Sequence, residues 1–254
     1  MRIRETIEKY VFPPSLYCMS CGAIIDSSRE YMLCDECMEK FSWNTGATCE
    51  CCGKALGMAL AGLCYNCMEK SHEFEKGYSC LSYGSREKAP ILGLKHGEKA
   101  YIAKALGQML CDRLAKAVES EYDGVIPWDI IIPVPIHISR LLKRGYNQTE
   151  LIGAEVSKGL GTEMKTNILL RKRPAAKSGG TVQRRQKNIE GAFAVSDEAG
   201  KSGVLRNKNI LLIDDVYTTG ATADECAHAL LSAGAAKIHV AVIATGSNYH
   251  SSSS

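Results

Sequence analysis

The sequence predicts an α/β protein, a parallel sheet flanked by helices, preceded by a small cysteine-rich module. Three observations carry that expectation. Short apolar runs such as Ile210 to Ile213 have the continuous hydrophobicity of strands buried on both faces. These runs alternate with stretches of helical periodicity, a pattern that parallel strands and their crossover helices produce. Four CxxC pairs are concentrated before residue 70.

Taken in chain order, the cysteines come first. Cys18/Cys21, Cys34/Cys37, Cys49/Cys52 and Cys64/Cys67 each place two sulfurs on one tight knuckle. Two knuckles complete a tetrahedral four-sulfur shell, the preferred geometry of structural zinc, so two structural zinc ions are expected. Gly22 and Gly53, each directly after a second cysteine, let the chain fold back around the metal. Pairing first knuckle with second and third with fourth is the simplest connectivity, although spacing leaves a crossed one open. Cys51 could replace Cys49 or Cys52, or lie unused beside them. A redox CxxC would need a βαβ context that residues 1–80 lack. Cys80, Cys111 and Cys226 read as core packing.

After the module, Gly77 to Tyr83 reads as a strand, turning at Gly84 and Ser85. A helical pattern follows around Ile91, Leu92 and Leu94, and a stronger one runs from Ala100 to Val118 with Ile102, Leu106, Leu110 and Leu114 on one face. Asp129 to Pro135, DIIIPVP, is a buried strand that its prolines terminate. Asn147 to Leu160 reads as a helix, and Gly191 to Val195 and Lys237 to Ala244 as strands. With 254 residues, 45% of them hydrophobic, the chain can bury one sizeable core plus a small module. The expected division is a zinc module over 1–76, an α/β domain over 77–247 and a disordered tail over 248–254. No stretch is long enough to span a membrane, and MRIRETIEKYVFPPSL lacks the apolar core of a secretory signal, so a cytoplasmic location is expected. A reducing cytosol favours metal thiolates over disulfides among the 12 cysteines.

The most informative segment is NILLIDDVYTTGATADECAHAL, Asn209 to Leu230. An apolar strand over Ile210 to Ile213 meets two adjacent acids, then a Thr/Gly-rich turn, then a helix over Ala223 to Leu230. Ligands of open α/β sheets bind beyond the carboxyl ends of strands, where a helix N-terminus offers unpaired amides to a phosphate. Thr218, Thr219, Gly220, Ala221 and Thr222 suit that task, with Gly220 permitting a tight turn and the threonines adding hydroxyl donors. Asp214 and Asp215 can accept hydrogen bonds from two vicinal sugar hydroxyls. A plain strand-to-helix turn with an acidic cap would account for one aspartate only. The fingerprint GxGxxG and the P-loop GK[ST] are both missing here.

This segment resembles the ribose-5-phosphate loop of type I phosphoribosyltransferases, whose ligand is phosphoribosyl pyrophosphate (PRPP). Three blocks in order, the four CxxC pairs, IIPVPIHISRLLKRGYNQTELIGAEV from Ile131 to Val156, and this loop, resemble the ComF family of competence-related, phosphoribosyltransferase-like proteins. YGSREKAPILGLK, Tyr83 to Lys95, and NIEGAFAV, Asn188 to Val195, agree with it too. The resemblance implies a double zinc ribbon joined to a type I phosphoribosyltransferase-like fold, and a role in the uptake or processing of single-stranded DNA during natural transformation. DNA-uptake machinery proteins are implied partners.

If the site binds PRPP, the 5′-phosphate falls on Thr218 to Thr222 and the ribose hydroxyls on Asp214 and Asp215, the candidate catalytic pair. Mg²⁺ and pyrophosphate then lie near the end of the Asp129 to Pro135 strand, where Arg140, Arg144, Asn147 and Gln148 are candidate contacts by position. Arg171 to Lys187, with seven Lys/Arg including Arg184 and Arg185 and a hinge at Gly179/Gly180, is expected to close over the site. The alternative to a DNA role is thus a Mg²⁺-dependent phosphoribosyltransferase acting on an unidentified small acceptor. Glutamine amidotransfer is not expected, since the chain opens Met1, Arg2, Ile3 and enters a zinc knuckle.

The formal net charge is +3, unevenly placed: residues 137–188 hold 12 Lys/Arg against 3 Asp/Glu, whereas residues 1–80 hold 8 against 11. The basic field therefore belongs to the α/β part and could track a DNA phosphate backbone, with Tyr146 either stacking on a base or lying in the core.

Overall fold

The computed structural model describes residues 16–57, 62–95, 99–174 and 189–246. In chain order the helices are α1 (Asp35–Lys40), α2 (Tyr65–Glu69), α3 (Ser85–Lys95), α4 (Ile102–Glu121), α5 (Ile138–Arg144), α6 (Gln148–Leu160), α7 (Asp197–Ser202) and α8 (Ala221–Ser232). The strands are β1 (Lys76–Tyr83), β2 (Ile130–Pro133), β3 (Leu169–Arg171), β4 (Phe193–Val195), β5 (Asn209–Tyr217) and β6 (Lys237–Gly246). β1, β6, β5 and β2 form one parallel sheet in that order. The expected strand near Gly191 lies elsewhere: β4 pairs antiparallel with β3 as a separate ribbon. β2 is an edge strand, the position that tolerates Pro133, whose nitrogen cannot donate.

Local signals explain most boundaries. Asn147 caps α6 by accepting the Thr149 N–H, and Ser196 caps α7 by accepting the Ala199 N–H, while Gly145, Gly161 and Gly203 close α5, α6 and α7 in the left-handed conformation. On α4, the expected stripe of Ile102, Leu106, Leu110 and Leu114 is fully buried. Each such side chain contributes about 1.5–3 kcal/mol by leaving water.

The sheet carries a core on each face. One gathers Ile131, Leu211, Ile213 and Ala241 with α4 and α6; the other gathers Ile132, Ile210, Leu212 and Val240 with β3, β4 and α8. The cysteine module straddles the β1 edge and enters both. Cys18, Leu33, Cys37 and Phe41 join the first core, whereas Cys49, Cys52, Cys64 and Cys67 join the second together with Phe74. The sequence led us to expect a separate appendage; instead, backbone bonds from Asn44 N–H to the Cys80 carbonyl and from Ser82 N–H to the Ser42 carbonyl, both 2.8 Å, cover the open edge of β1. Gly53 and Gly77 permit the contact. A Cβ on Gly53 would fall 2.3 Å from the Gly77 carbonyl oxygen, and one on Gly77 would fall 2.7 Å from the Cys52 carbonyl. No described helix is long and apolar enough to cross a membrane.

Candidate functional site

The two knuckle pairs converge as the simplest connectivity predicts. Cys18, Cys21, Cys34 and Cys37 have their sulfurs within 4.8 Å of one another, and so do Cys49, Cys52, Cys64 and Cys67. The Cys21–Cys34 and Cys52–Cys64 sulfur separations are both 3.7 Å. A tetrahedron with Zn–S bonds of about 2.3 Å has an edge of about 3.8 Å, so both clusters fit structural zinc. The clusters are built alike. Gly22 and Gly53 take positive φ and donate to the Cys18 and Cys49 carbonyls, while Cys34 and Cys64 are the residues from which α1 and α2 start. Cys51 stands outside both sets, its sulfur grouped with Cys67 and His72.

The loop site forms where β5 ends. β5 runs four residues beyond the apolar stretch, because β6 continues to pair with it at Val216 and Tyr217. Both aspartates are therefore strand residues, and successive side chains leave a strand on opposite faces. Asp215 is buried; its carboxylate receives Lys95 Nζ from the end of α3 at 2.9 Å and Gln148 Nε2 from the start of α6 at 3.1 Å. Arg144 in turn donates to Gln148 Oε1. Asp214 is open to solvent on one side and accepts the Asp215 amide at 2.8 Å. Desolvation, then the neighbouring Asp215 charge, push its carboxyl up to about 7. Among the described residues it makes no ion pair. Asp214 thus presents its carboxyl on one face of β5, while the Asp215 carboxyl is taken up by Lys95 and Gln148.

Thr218 is exposed, Thr219 is half-buried, and Gly220 is the N-cap of α8 with φ 80°. Ala221 and Thr222, expected in the loop, are the first residues of α8, so their amides lie in its first turn. Gly220 has no side-chain oxygen with which to cap those amides.

The other expected contacts divide. Arg140 is exposed and Arg144 half-buried on α5. Burial, offset partly by the Asp215 charge, pulls Arg144 below the usual guanidinium range. Asn147, expected to meet pyrophosphate, is buried and occupied: its Nδ2 donates to the Val134 carbonyl at 3.1 Å and its Oδ1 accepts from Thr149. Gln148 is spent between Arg144 and Asp215. Arg184, Arg185 and the Gly179/Gly180 hinge lie outside the described residues, as does the 248–254 tail. Tyr146 donates its hydroxyl to the Leu94 carbonyl at 2.6 Å and packs against the first core.

Sequence reasoning missed Lys95, Tyr217, Asp224 and His72, and named Arg171 only as the start of the segment expected to close over the site. Arg171 ends β3 with its guanidinium over the Phe193 ring at 4.9 Å; burial and then the Arg140 charge lower its pKa, while Asp214 opposes them. Only the meeting of α3, β3 and β5 reveals these neighbours. The string ending in Lys95 was noticed, but nothing local marks its ammonium as a partner of Asp215.

Comparison with known proteins agrees with this geometry. Residues 7–68 match the double zinc ribbon domain and residues 150–253 the phosphoribosyl transferase domain. The chain is 27% identical over 224 residues to Competence protein F of Haemophilus influenzae, covering 88% of this chain and 94% of that protein. It is 28% identical over 178 residues to DNA utilization protein YhgH of Escherichia coli, covering 70% and 75%. It is 23% identical over 210 residues to Competence protein ComFC of Bacillus subtilis, covering 80% of each.

Proposed function

We propose, for a chain that belongs to the ComF family and carries a double zinc ribbon on a phosphoribosyltransferase-like α/β fold, that the turn from β5 into α8 binds a 5-phosphorylated ribose. PRPP with Mg²⁺ is the form that the surroundings favour. One observation carries the reading: Gly220 opens a 12-residue helix with no side-chain cap on its amides, in the turn that follows a central strand bearing two aspartates near its end. In this reading the phosphate takes the amides of the first α8 turn and the threonine hydroxyls, while the carboxylates accept ribose hydroxyls. Asp214 and Asp215 would hold Mg²⁺ through its waters, and the ion would supply charge to offset pyrophosphate. Arg140, Arg144 and Arg171 would supply charge that complements pyrophosphate.

The biological role proposed is the handling of single-stranded DNA during uptake in transformation, consistent with relatives named for competence and DNA utilization. The excess of Lys/Arg over Asp/Glu between 137 and 173 would favour the phosphates of such a strand. Turnover on a small acceptor is the second reading, favoured by the Arg171 charge that acts on Asp214. Calorimetry with PRPP and Mg²⁺, with and without a single-stranded oligonucleotide, tests both. Binding of PRPP, lost in Asp215→Asn and weakened by the oligonucleotide, is the expected result. Absence of heat from PRPP defeats the loop reading; absence of oligonucleotide binding at low salt defeats the DNA role.

A further inference from the structure

We propose that His72 is a positioning residue through which the second cysteine cluster holds the Thr218 to Thr222 turn in its phosphate-binding shape. The inference rests on the reading of that turn as the ribose-phosphate loop. His72 follows α2 by three residues, and its side chain is 1% exposed. Both ring nitrogens are engaged with the loop's two flanks. Nδ1 lies 2.9 Å from Asp224 Oδ1, in the first turn of α8, and Nε2 lies 3.2 Å from the Tyr217 hydroxyl at the end of β5. With Nδ1–H donating to the carboxylate, Nε2 is left to accept from the tyrosine.

Asp224 is the anchor. Besides His72 it receives Lys70 Nζ at 2.6 Å and the Glu73 amide at 3.2 Å, so three residues of one short segment fasten to a single carboxylate. Burial alone would raise that carboxyl, but the His72 and Lys70 bonds hold it below the usual range. The loop is pressed against the ring: a Cβ on Gly220 would meet His72 Cε1 at 2.7 Å and the Tyr217 hydroxyl at 2.6 Å.

The ring also lies beside the cysteines. A His72 nitrogen and the Cys51 and Cys67 sulfurs lie within 4.8 Å of one another, and Phe74, which packs with the same cysteines, stacks on His72 at 4.9 Å between centroids. Cys51 further accepts the Gly77 amide through its carbonyl at 2.6 Å, which ties the knuckle to β1. Cluster, ring and loop thus form one packed path. A phosphate loop binds well only if its amides are already aimed, because ordering them on binding subtracts from affinity. The position of His72 supplies that order from outside the loop.

The test compares wild type, His72→Ala, His72→Asn and Glu75→Gln for ribose 5-phosphate affinity, zinc content and amide exchange over residues 218–224. Glu75 pairs with Lys237 at 3.0 Å on the same linking segment without touching the loop. His72→Ala is expected to weaken binding on the order of tenfold, a usual coupling size. It should speed exchange over 218–224 while retaining two zinc per chain. His72→Asn keeps a donor near the Nδ1 position and should recover part of the loss; Glu75→Gln should match wild type. If His72→Ala fails to fold, Asp224→Asn loosens the same link from the helix side and carries the same expectation. Unchanged exchange over 218–224 in the folded variants overturns the positioning role. So does a loss that accompanies zinc release and that His72→Asn does nothing to repair. A wild-type protein that ignores ribose 5-phosphate sinks the loop reading instead, and exchange still decides the part played by His72.

Discussion

Asp214 and Asp215 are chemically identical neighbours with opposite circumstances. Asp215 has Lys95 and Gln148 on its carboxylate, whereas Asp214 has an amide and a desolvating surround that pushes it up to about 7. Between its ordinary value of 3.8 and about 7, folded Asp214 keeps a proton that the unfolded chain has lost, so its contribution to stability falls as pH rises through that window. Asp214→Asn should therefore melt above wild type at pH 8, by a margin that shrinks at pH 5; equal margins would contradict a raised Asp214. The adjacent acids were visible in the sequence. Their inequality was not, because it depends on α3 and α6, which approach one side of β5 only.

At the turn between β5 and α8, backbone conformation does the work. Gly220 sits at φ 80°, a region that costs an L-residue roughly 1–2 kcal/mol, and its Cα is packed under His72 and Tyr217. Gly220→Ala should lower the unfolding free energy by at least that cost and abolish ribose 5-phosphate binding, measured by denaturant titration and calorimetry. A stable variant with unchanged affinity would place the ligand elsewhere. The sequence marked this turn through its glycine and threonines. It misplaced the edges: β5 runs on through both aspartates and Tyr217, since β6 keeps pairing with it, and α8 starts at Ala221. Aspartate is a poor strand former, but continued pairing with β6 overrides propensity.

Across the molecule, the two sulfur clusters are parts of the two cores rather than a decoration on them. Cys37 and Phe41 lie with Tyr78 and Leu81, and Cys64 and Cys67 lie with Phe74 and Tyr217. Removing zinc leaves thiolates or thiols crowded in apolar surroundings with nothing to hold them together. Strong chelation should thus lower the melting temperature of the whole α/β part, followed by circular dichroism, and not merely unfold the first 70 residues. An α/β transition indifferent to chelator would mean that the ribbons fold and unfold alone.

Spacing and periodicity were enough to read the fold class, the order of most elements, the two four-cysteine sets and the place of the strand-to-helix turn after Asp215. Each is written in a contiguous stretch or a short repeat, where covalent distance dictates geometry. The partners of those features come from afar: Lys95 reaches Asp215 across more than a third of the chain, and His72 reaches Asp224 across still more. Such meetings depend on how helices and ribbons pack on the two sheet faces. Packing selects side chains by the space left between distant segments, and no local pattern records that space.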